Sequence, residues 1–240
     1  MKPFSLCLSL PLKHLALAAA CGLGAMAAMP AAAQVAPHAA EVAAYKGLHA
    51  AAHFGDVARI EKLVAAKADL NGRDGNGRTP LHVAAFARQR EAIRALVKAG
   101  ADIQLLDKDR YDAVTITSVA DDEETLRVLL ALGASAKLVT SRYDGTALIA
   151  AAHLGHDGVV RQLIAAGAPL DHVNNLHWTA AIEAVVLGDG GPRHQKTLQA
   201  LIDAGANLRL ADRHGSTPLQ LARSRGYTAM VSMLEKAGAR

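Results

Sequence analysis

The strongest structural signal in this chain is the run Thr79-Pro80-Leu81-His82-Val83-Ala84-Ala85. A threonine followed by a proline is typical of a helix start, because the hydroxyl caps a free N–H and a proline at the first helical position needs none. Leu81, Ala84 and Ala85 then follow at helical spacing. A second amphipathic segment comes next and ends at Gly100, a residue type that readily adopts the left-handed conformation at a helix end. The run therefore predicts a unit of two short helices joined by a turn.

The small pair that closes this unit recurs along the chain at a nearly constant period. Successive pairs are 33, 33, 34, 38 and 33 residues apart. They are Lys67-Ala68, Gly100-Ala101, Gly133-Ala134, Gly167-Ala168, Gly205-Ala206 and Gly238-Ala239. A fixed period near 33 predicts an array of helix pairs, in which each unit buries its apolar face against its neighbours.

The helix start and the closing pair together resemble the ankyrin repeat. The resemblance covers about residues 46–240 and implies an all-α ankyrin solenoid of about six helix-turn-helix repeats joined by hairpin loops. The third unit matches least well, since Asp112 stands where threonine is expected, although aspartate is also a good helix N-cap. The expected units are 46–73, 74–106, 107–139, 140–173, 174–211 and 212–240.

Two features depart from a regular ankyrin unit. Such units usually have glycine in the turn between their two helices, yet Arg88 and Asp121 stand there in units two and three. We therefore expect those turns to be reshaped or mildly strained. Unit five has Gly188 there and carries about five extra residues, 189–193, which we expect to bulge from the stack as a loop. Such a loop is either functional or a tolerated surface insertion.

The first 33 residues are a different kind of sequence. They contain two lysines and no acidic residue, and an apolar run precedes a small-residue stretch that ends at Ala33. This order is typical of a secretory signal peptide cleaved after Ala33. An uncleaved membrane anchor over residues 15–33 and a lipoprotein attached through Cys21 are the alternatives. With the signal removed, residues 34–45 form a lead-in to the first repeat, and we expect a periplasmic protein of a Gram-negative bacterium without membrane insertion.

Composition limits the classes of function. Hydrophobic residues make up 51% of the chain but aromatic residues only 3%, and the excess is alanine, which suits closely packed helices. The 26 basic residues are mixed with 22 acidic ones along the units, so we expect no nucleic-acid partner. Both cysteines lie in the predicted signal, so the exported chain would fold without disulfides.

The ankyrin resemblance implies a non-enzymatic module that binds a protein in the groove formed by its hairpin tips and first helices. The groove side of the first helices is unusually apolar here, which is typical of a protein interface. Tyrosine and tryptophan at hairpin tips are typical of binding hot spots. Covering by neighbouring elements is the structural alternative for both groups. The predicted protein-binding residues, centred on units three to five, are Phe86, Tyr111, Tyr143, His153, Leu154, His177, Trp178, Val186 and Leu187.

The partner is not identified by the sequence, and we expect the chain to be monomeric. A scaffold, a chaperone-like cofactor and an inhibitor are all compatible with this interpretation.

Histidines support a second hypothesis. His49 and His82 occupy the repeat position whose side chain ties adjacent hairpins in ankyrin proteins, so a structural role is expected there. Three other histidines and one beside the insert could instead bind haem or a metal. The resemblance to exported bacterial ankyrin proteins implies a related alternative, an accessory protein that supports a periplasmic catalase in peroxide defence. We expect no resident cofactor and no catalysis by the chain itself. The four histidines are His53, His153, His156 and His194.

Overall fold

The structure, a computed structural model, describes residues 35–240. The helices found there are α1 (Ala39–Ala44), α2 (Gly47–Phe54), α3 (Val57–Ala65), α4 (Pro80–Phe86), α5 (Arg90–Lys98), α6 (Ala113–Val119), α7 (Glu123–Ala131), α8 (Ala147–Leu154), α9 (Asp157–Ala165), α10 (Ala180–Val186), α11 (Pro192–Asp203), α12 (Pro218–Ser224) and α13 (Thr228–Lys236). From α2 onward they form six pairs, one in each predicted unit, so the all-α repeat prediction is confirmed. Two short strands, β1 (Val139–Thr140) and β2 (Gly145–Thr146), pair antiparallel within unit four.

The predicted signal peptide lies outside the described residues. Within residues 35–240, no helix is long and apolar enough to span a bilayer.

The first helix of each pair after α2 begins at a side chain that accepts a hydrogen bond from the first turn. Thr79 Oγ1 accepts from the backbone N–H of His82 at 3.4 Å, and Asp112 Oδ1 accepts from that of Thr115 at 2.8 Å. Aspartate therefore replaces the usual threonine in unit three, as predicted. The caps of the remaining first helices are Thr146, Thr179 and Thr217.

The core runs through the stack between the two helices of each pair. First helices contact one another in chain order, and second helices do the same. One repeat position on the second helix carries a fully buried leucine in five successive units, whereas Leu63, at that position in unit one, is only partly buried. Stacking on both sides therefore creates the core, as expected for a solenoid. The five leucines are Leu96, Leu129, Leu163, Leu201 and Leu234.

The turns between paired helices confirm the expected strain. Gly55 and Gly155 adopt the left-handed conformation with φ of 68°. Arg88 and Asp121 adopt it as well, with φ of 56° and 53°, although a side chain makes this conformation less favourable by about 1 kcal/mol.

The insert of unit five folds onto its neighbours, so the expectation of a loop bulging from the stack is wrong. Pro192 and Arg193 form the first turn of α11, which has 12 residues where α9 has 9. Arg193 Nε donates to the carbonyl of Gly155 at 3.1 Å, and its Nη2 donates to Asp121 at 2.6 Å. These donors hold the insert against the turns of units three and four.

The left-handed residue of the unit-five turn is also not the expected one. Gly190, rather than Gly188, has a positive φ of 71°. A Cβ there would come within 2.6 Å of the Tyr227 ring, and the Tyr227 hydroxyl donates to the carbonyl of Gly188 at 2.9 Å. The insert thereby also contacts unit six.

The lead-in packs on the hairpin of unit two. Arg78, only 5% exposed, donates from Nη2 to the carbonyl of Val35 at 2.5 Å and lies 3.6 Å from Glu41. The Tyr45 hydroxyl donates to Asp74 at 3.0 Å. Burial of the hydroxyl and, to a smaller extent, its hydrogen bond to Asp74 raise the pKa of Tyr45 to about 12. This segment covers the edge that a preceding hairpin would otherwise cover.

Candidate functional site

Four hairpin turns are built by one acidic or amide side chain each. Its Oδ1 accepts backbone N–H groups two and four residues ahead at 2.8 to 3.0 Å, as in an Asx turn. The hairpin of unit four differs, since Ser141 accepts from the N–H of Tyr143 at 3.2 Å and β1 pairs with β2. The turn-forming side chains are Asp74, Asp107, Asn174 and Asp212.

Adjacent hairpins are joined by backbone hydrogen bonds, so their tips form a continuous ledge. The bonds run from Lys108 N to Asn76 O at 3.0 Å, from Ser141 N to Arg110 O at 2.9 Å and from Asn175 N to Tyr143 O at 2.9 Å.

Two ion pairs also cross between the tips of units three and four. Arg110 lies 2.8 Å from Asp144, and Arg142 lies 3.7 Å from Asp109. All four side chains are about half exposed, so each pair contributes at most about 1 kcal/mol. The pairs mainly set the orientation of the tip side chains.

Histidines tie first helices to the next hairpin, as the ankyrin resemblance implied. His49 Nε2 lies 2.9 Å from the carbonyl of Arg78, and His82 Nε2 lies 3.0 Å from that of Tyr111. Burial lowers the pKa of His82 to about 4, although its backbone hydrogen bonds act in the opposite direction. His82 is therefore a neutral structural residue at neutral pH.

We define the groove face as the hairpin tips together with the ends of the first helices. Leu154 is 38% exposed and Phe54 is 67% exposed. Phe86, Val186 and Leu187 are only half-buried, and the Arg78 guanidinium lies 5.3 Å from the Phe86 ring centre. The predicted apolar stripe is thus partly covered but remains open in units one and four. The groove face comprises His53, Phe54, Phe86, Val119, Ala120, His153, Leu154, Val186, Leu187, Ser224 and Arg225, with tips 75–77, 108–110, 141–144, 175–177 and 213–215.

The predicted tip aromatics occupy two different positions. Tyr111 and Trp178 each follow a left-handed residue and are half-buried, and Tyr111 packs against the hydrophobic core. Tyr143 lies at the tip itself and is also half-buried, whereas His177 is exposed. Tyr111 therefore has a packing role, which is the structural alternative to partner binding given for the tip aromatics.

One buried polar residue on the first helix of unit five was not among the predicted site residues. Glu183 is only 4% exposed on α10. Asn174 Nδ2 donates to its Oε1 at 3.0 Å, and His153 Nδ1 lies 3.2 Å from its Oε2 without hydrogen-bond geometry. Aligning the units could have found it, because the other units carry only apolar residues at this position. They are Ala50, Val83, Ile116, Ala150 and Leu221.

The histidines of the haem or metal hypothesis make contacts within and between units. His156 Nδ1 lies 2.9 Å from the carbonyl of Ser118, and His194 contacts Asp189 and the carbonyl of His153, both at 3.0 Å. Within residues 35–240, no three or more metal-ligating side chains are grouped to hold an ion. The described geometry gives no support to this hypothesis.

The chain matches a family model described as ankyrin repeats (3 copies) over residues 15–107 and 113–212. The ankyrin repeat protein YahD of Escherichia coli is 39% identical over 100 residues, which are 41% of this chain. The aligned part spans 50% of that curated relative's length.

Solved structures agree with this assignment. An ankyrin repeat domain from Acinetobacter baumannii AYE is 43% identical with a TM-score of 0.76, covering 80% of this chain and 98% of that one. The ankyrin repeat domain of Bcl-3, described as a member of the IkappaB family, is 28% identical with a TM-score of 0.73, covering 82% and 87%. Because the family model matches more than half of its length, this chain belongs to the ankyrin-repeat family.

Proposed function

We propose that this chain is a non-enzymatic protein-interaction module that binds its partner on the groove face of units three to five. The observation that carries the proposal is the apolar stripe at the ends of the first helices. Leu154 is 38% exposed, and Val186 and Leu187 beside it are half-buried. Apolar side chains left open in a row and rimmed by polar tips are typical of a protein interface.

The hairpin ledge supports the same proposal. Its backbone is fixed by Asx turns and by bonds between hairpins, whereas Arg142 and His177 extend from it with exposed side chains. A rigid ledge loses little conformational entropy on binding, which favours affinity. Ankyrin proteins are generally interaction modules, so the proposal agrees with the family.

A paired binding experiment tests this function. The full chain serves as bait in a crosslinking pull-down from the periplasmic fraction, beside a Tyr143→Ala/Leu154→Ala variant. A Lys196→Ala/Lys236→Ala variant, altered on exposed second-helix positions, is the matched control. We expect a protein that is retained by the wild type and the control but lost with the groove variant. Equal capture by all three folded baits would contradict binding on the groove face.

Export is part of the proposal. A signal peptide at residues 1–33 would direct the chain to the periplasm, where it would act as a scaffold, chaperone-like cofactor or inhibitor. Cell fractionation with mass spectrometry of the N-terminus checks this: a periplasmic protein that begins at Gln34 is expected. A cytoplasmic protein that keeps residues 1–33 would contradict export, without affecting the groove.

A further inference from the structure

Three arginines from two units line a cleft between the second helices α5 and α7, away from the groove face. We call it the arginine cleft; its volume is about 340 Å³. Glu124 in the lining and Glu91 beside Arg94 offset two of the three guanidinium charges, and the remaining positive charge attracts a ligand of the opposite sign. The cleft is lined by Arg90, Arg94, Glu124, Arg127, Val128 and Ala131.

Arg127 provides the free donors of this cleft. Arg90 lies 3.1 Å from Glu124, and Arg94 lies 3.4 Å from Glu91. Among residues 35–240, no carboxylate lies within 4.0 Å of the Arg127 guanidinium. Its five N–H groups are therefore available to a ligand.

A comparison with unit four shows which partner Arg127 lacks. Arg94, Arg127 and Arg161 occupy one repeat position in three successive units. Arg161 is paired at 2.7 Å with Asp157, one helical turn earlier. The corresponding acid in unit three is Glu123, which is four residues before Arg127 and suited to the same pairing.

Glu123 is instead directed toward unit four. Its Oε2 accepts from Gln162 Nε2 at 3.2 Å, and its carboxylate lies over Gly158. A Cβ at Gly158 would overlap that carboxylate, so the glycine makes this position available. Among residues 35–240, the missing side chain of Gly158 thus leaves Arg127 without an acidic partner.

We propose that the arginine cleft binds a phosphoryl group. Planar guanidinium forks match the oxygens of phosphate, and Arg127 and Arg94 offer them from two adjacent units. The group could belong to free phosphate or to a phospholipid headgroup, since both present the same oxygens. Either ligand would reach the cleft independently of the groove face.

Titration of the full chain with inorganic phosphate, followed by NMR chemical shifts, tests the proposal. We expect saturable shifts centred on α5 and α7, with affinity about tenfold lower in Arg127→Ala and in Arg94→Ala. Arg161→Ala, at the same repeat position but outside the cleft, is the matched control and should bind as the wild type does. An equal loss with Arg161→Ala would overturn the proposal, because it would indicate general surface attraction.

A remote substitution tests the role of Glu123. Gly158→Ala should displace the Glu123 carboxylate toward Arg127 and weaken phosphate binding without altering the cleft. Glu124→Gln should strengthen binding, because it removes the carboxylate that competes for Arg90. Unchanged affinity in both variants would overturn the proposed arrangement.

A vesicle-binding experiment distinguishes a phospholipid headgroup from free phosphate as the ligand. Phosphatidylglycerol vesicles, compared with phosphatidylcholine vesicles, should capture the wild type but not Arg127→Ala if the ligand is an anionic headgroup. Binding of inorganic phosphate without vesicle capture would assign free phosphate. Absence of both would overturn the site.

Discussion

The side-chain amide of Asn174 joins the hairpin of unit five to Glu183 on α10, with Nδ2 donating to Oε1 at 3.0 Å. The other end of Asn174 accepts from the N–H groups of Leu176 and Trp178 at 3.0 and 2.9 Å. One buried carboxylate therefore orients the amide that builds the turn carrying His177 and Trp178. In unit five, a buried residue of the first helix therefore fixes the position of the hairpin tip.

Glu183→Ala should lower the free energy of unfolding by about 2 kcal/mol, because it leaves the Asn174 amide buried without its acceptor. Glu183→Gln should cost less, since its amide oxygen can still accept. Urea unfolding at neutral pH measures both. A cost below about 0.5 kcal/mol for the alanine variant would show that the bond between Asn174 and Glu183 contributes little to folding.

The stability of the chain should fall on acidification through His82. Its pKa in the folded chain is about 4, against an ordinary value of 6.5. Between these values the unfolded chain binds more protons, so stability decreases as pH falls from about 6.5 to about 4, by about 3 kcal/mol.

Urea unfolding at several pH values in this range checks the effect. His82→Gln should be less stable at pH 7 but should depend less on pH over the same range. His214→Gln, at an exposed hairpin tip, is the control and should keep the wild-type slope. Identical slopes for the wild type and His82→Gln would contradict the assignment to His82.

Arg193→Ala should destabilise the chain by about 0.5–1 kcal/mol. The substitution removes the contact with Asp121 at 2.6 Å and the bond to the carbonyl of Gly155. Both guanidinium and carboxylate are partly exposed, which limits the effect. Arg161→Ala, which breaks an exposed pair within one helix, should cost less, about 0.3 kcal/mol. A thermal melt compares the two, and an equal change in both would mean that the insert does not brace the stack.

Lys67→Gly should stabilise the chain by about 0.5–1 kcal/mol. Lys67 adopts the left-handed conformation with φ of 57° at the position where later units have glycine, and its side chain is exposed. Lys62→Gly, inside the helix α3 that precedes Lys67, is the control and should destabilise by about 1 kcal/mol. Chemical denaturation of both variants checks the opposite signs; destabilisation by Lys67→Gly would show that its side chain contributes more than the strain costs.

Much of the fold follows from local patterns. The run from Thr79 to Ala85 and the closing pair at Gly100 specify two helices and their ends, and five further units repeat that pattern. Asp112 was also readable as a helix cap, because capping needs only an acceptor near its own first turn. Strain at Arg88 and Asp121 could be predicted from their place in the repeat.

Contacts between units were harder to predict. The insert was expected to bulge outward, but Arg193 reaches Asp121, 72 residues earlier in the chain. Glu183 is not predicted from its own helix either, because its acceptor role depends on Asn174, which lies in the hairpin nine residues earlier. Contacts of this kind depend on how hairpins and helices pack together, which local patterns do not reveal.

Local sequence was sufficient for the period, the helix caps and the repeat family, because those features depend on residues within one or two turns of each other. Stacking of the units decides which apolar side chains stay exposed, which carboxylates accept hydrogen bonds and which arginines have a carboxylate partner. Leu154 is exposed while Leu163 is fully buried. Within the part of the chain that the structure describes, Arg161 has an acidic partner and Arg127 has none. Each of these differences arises from packing and charge contacts within the stack, as the position of Glu123 over Gly158 illustrates.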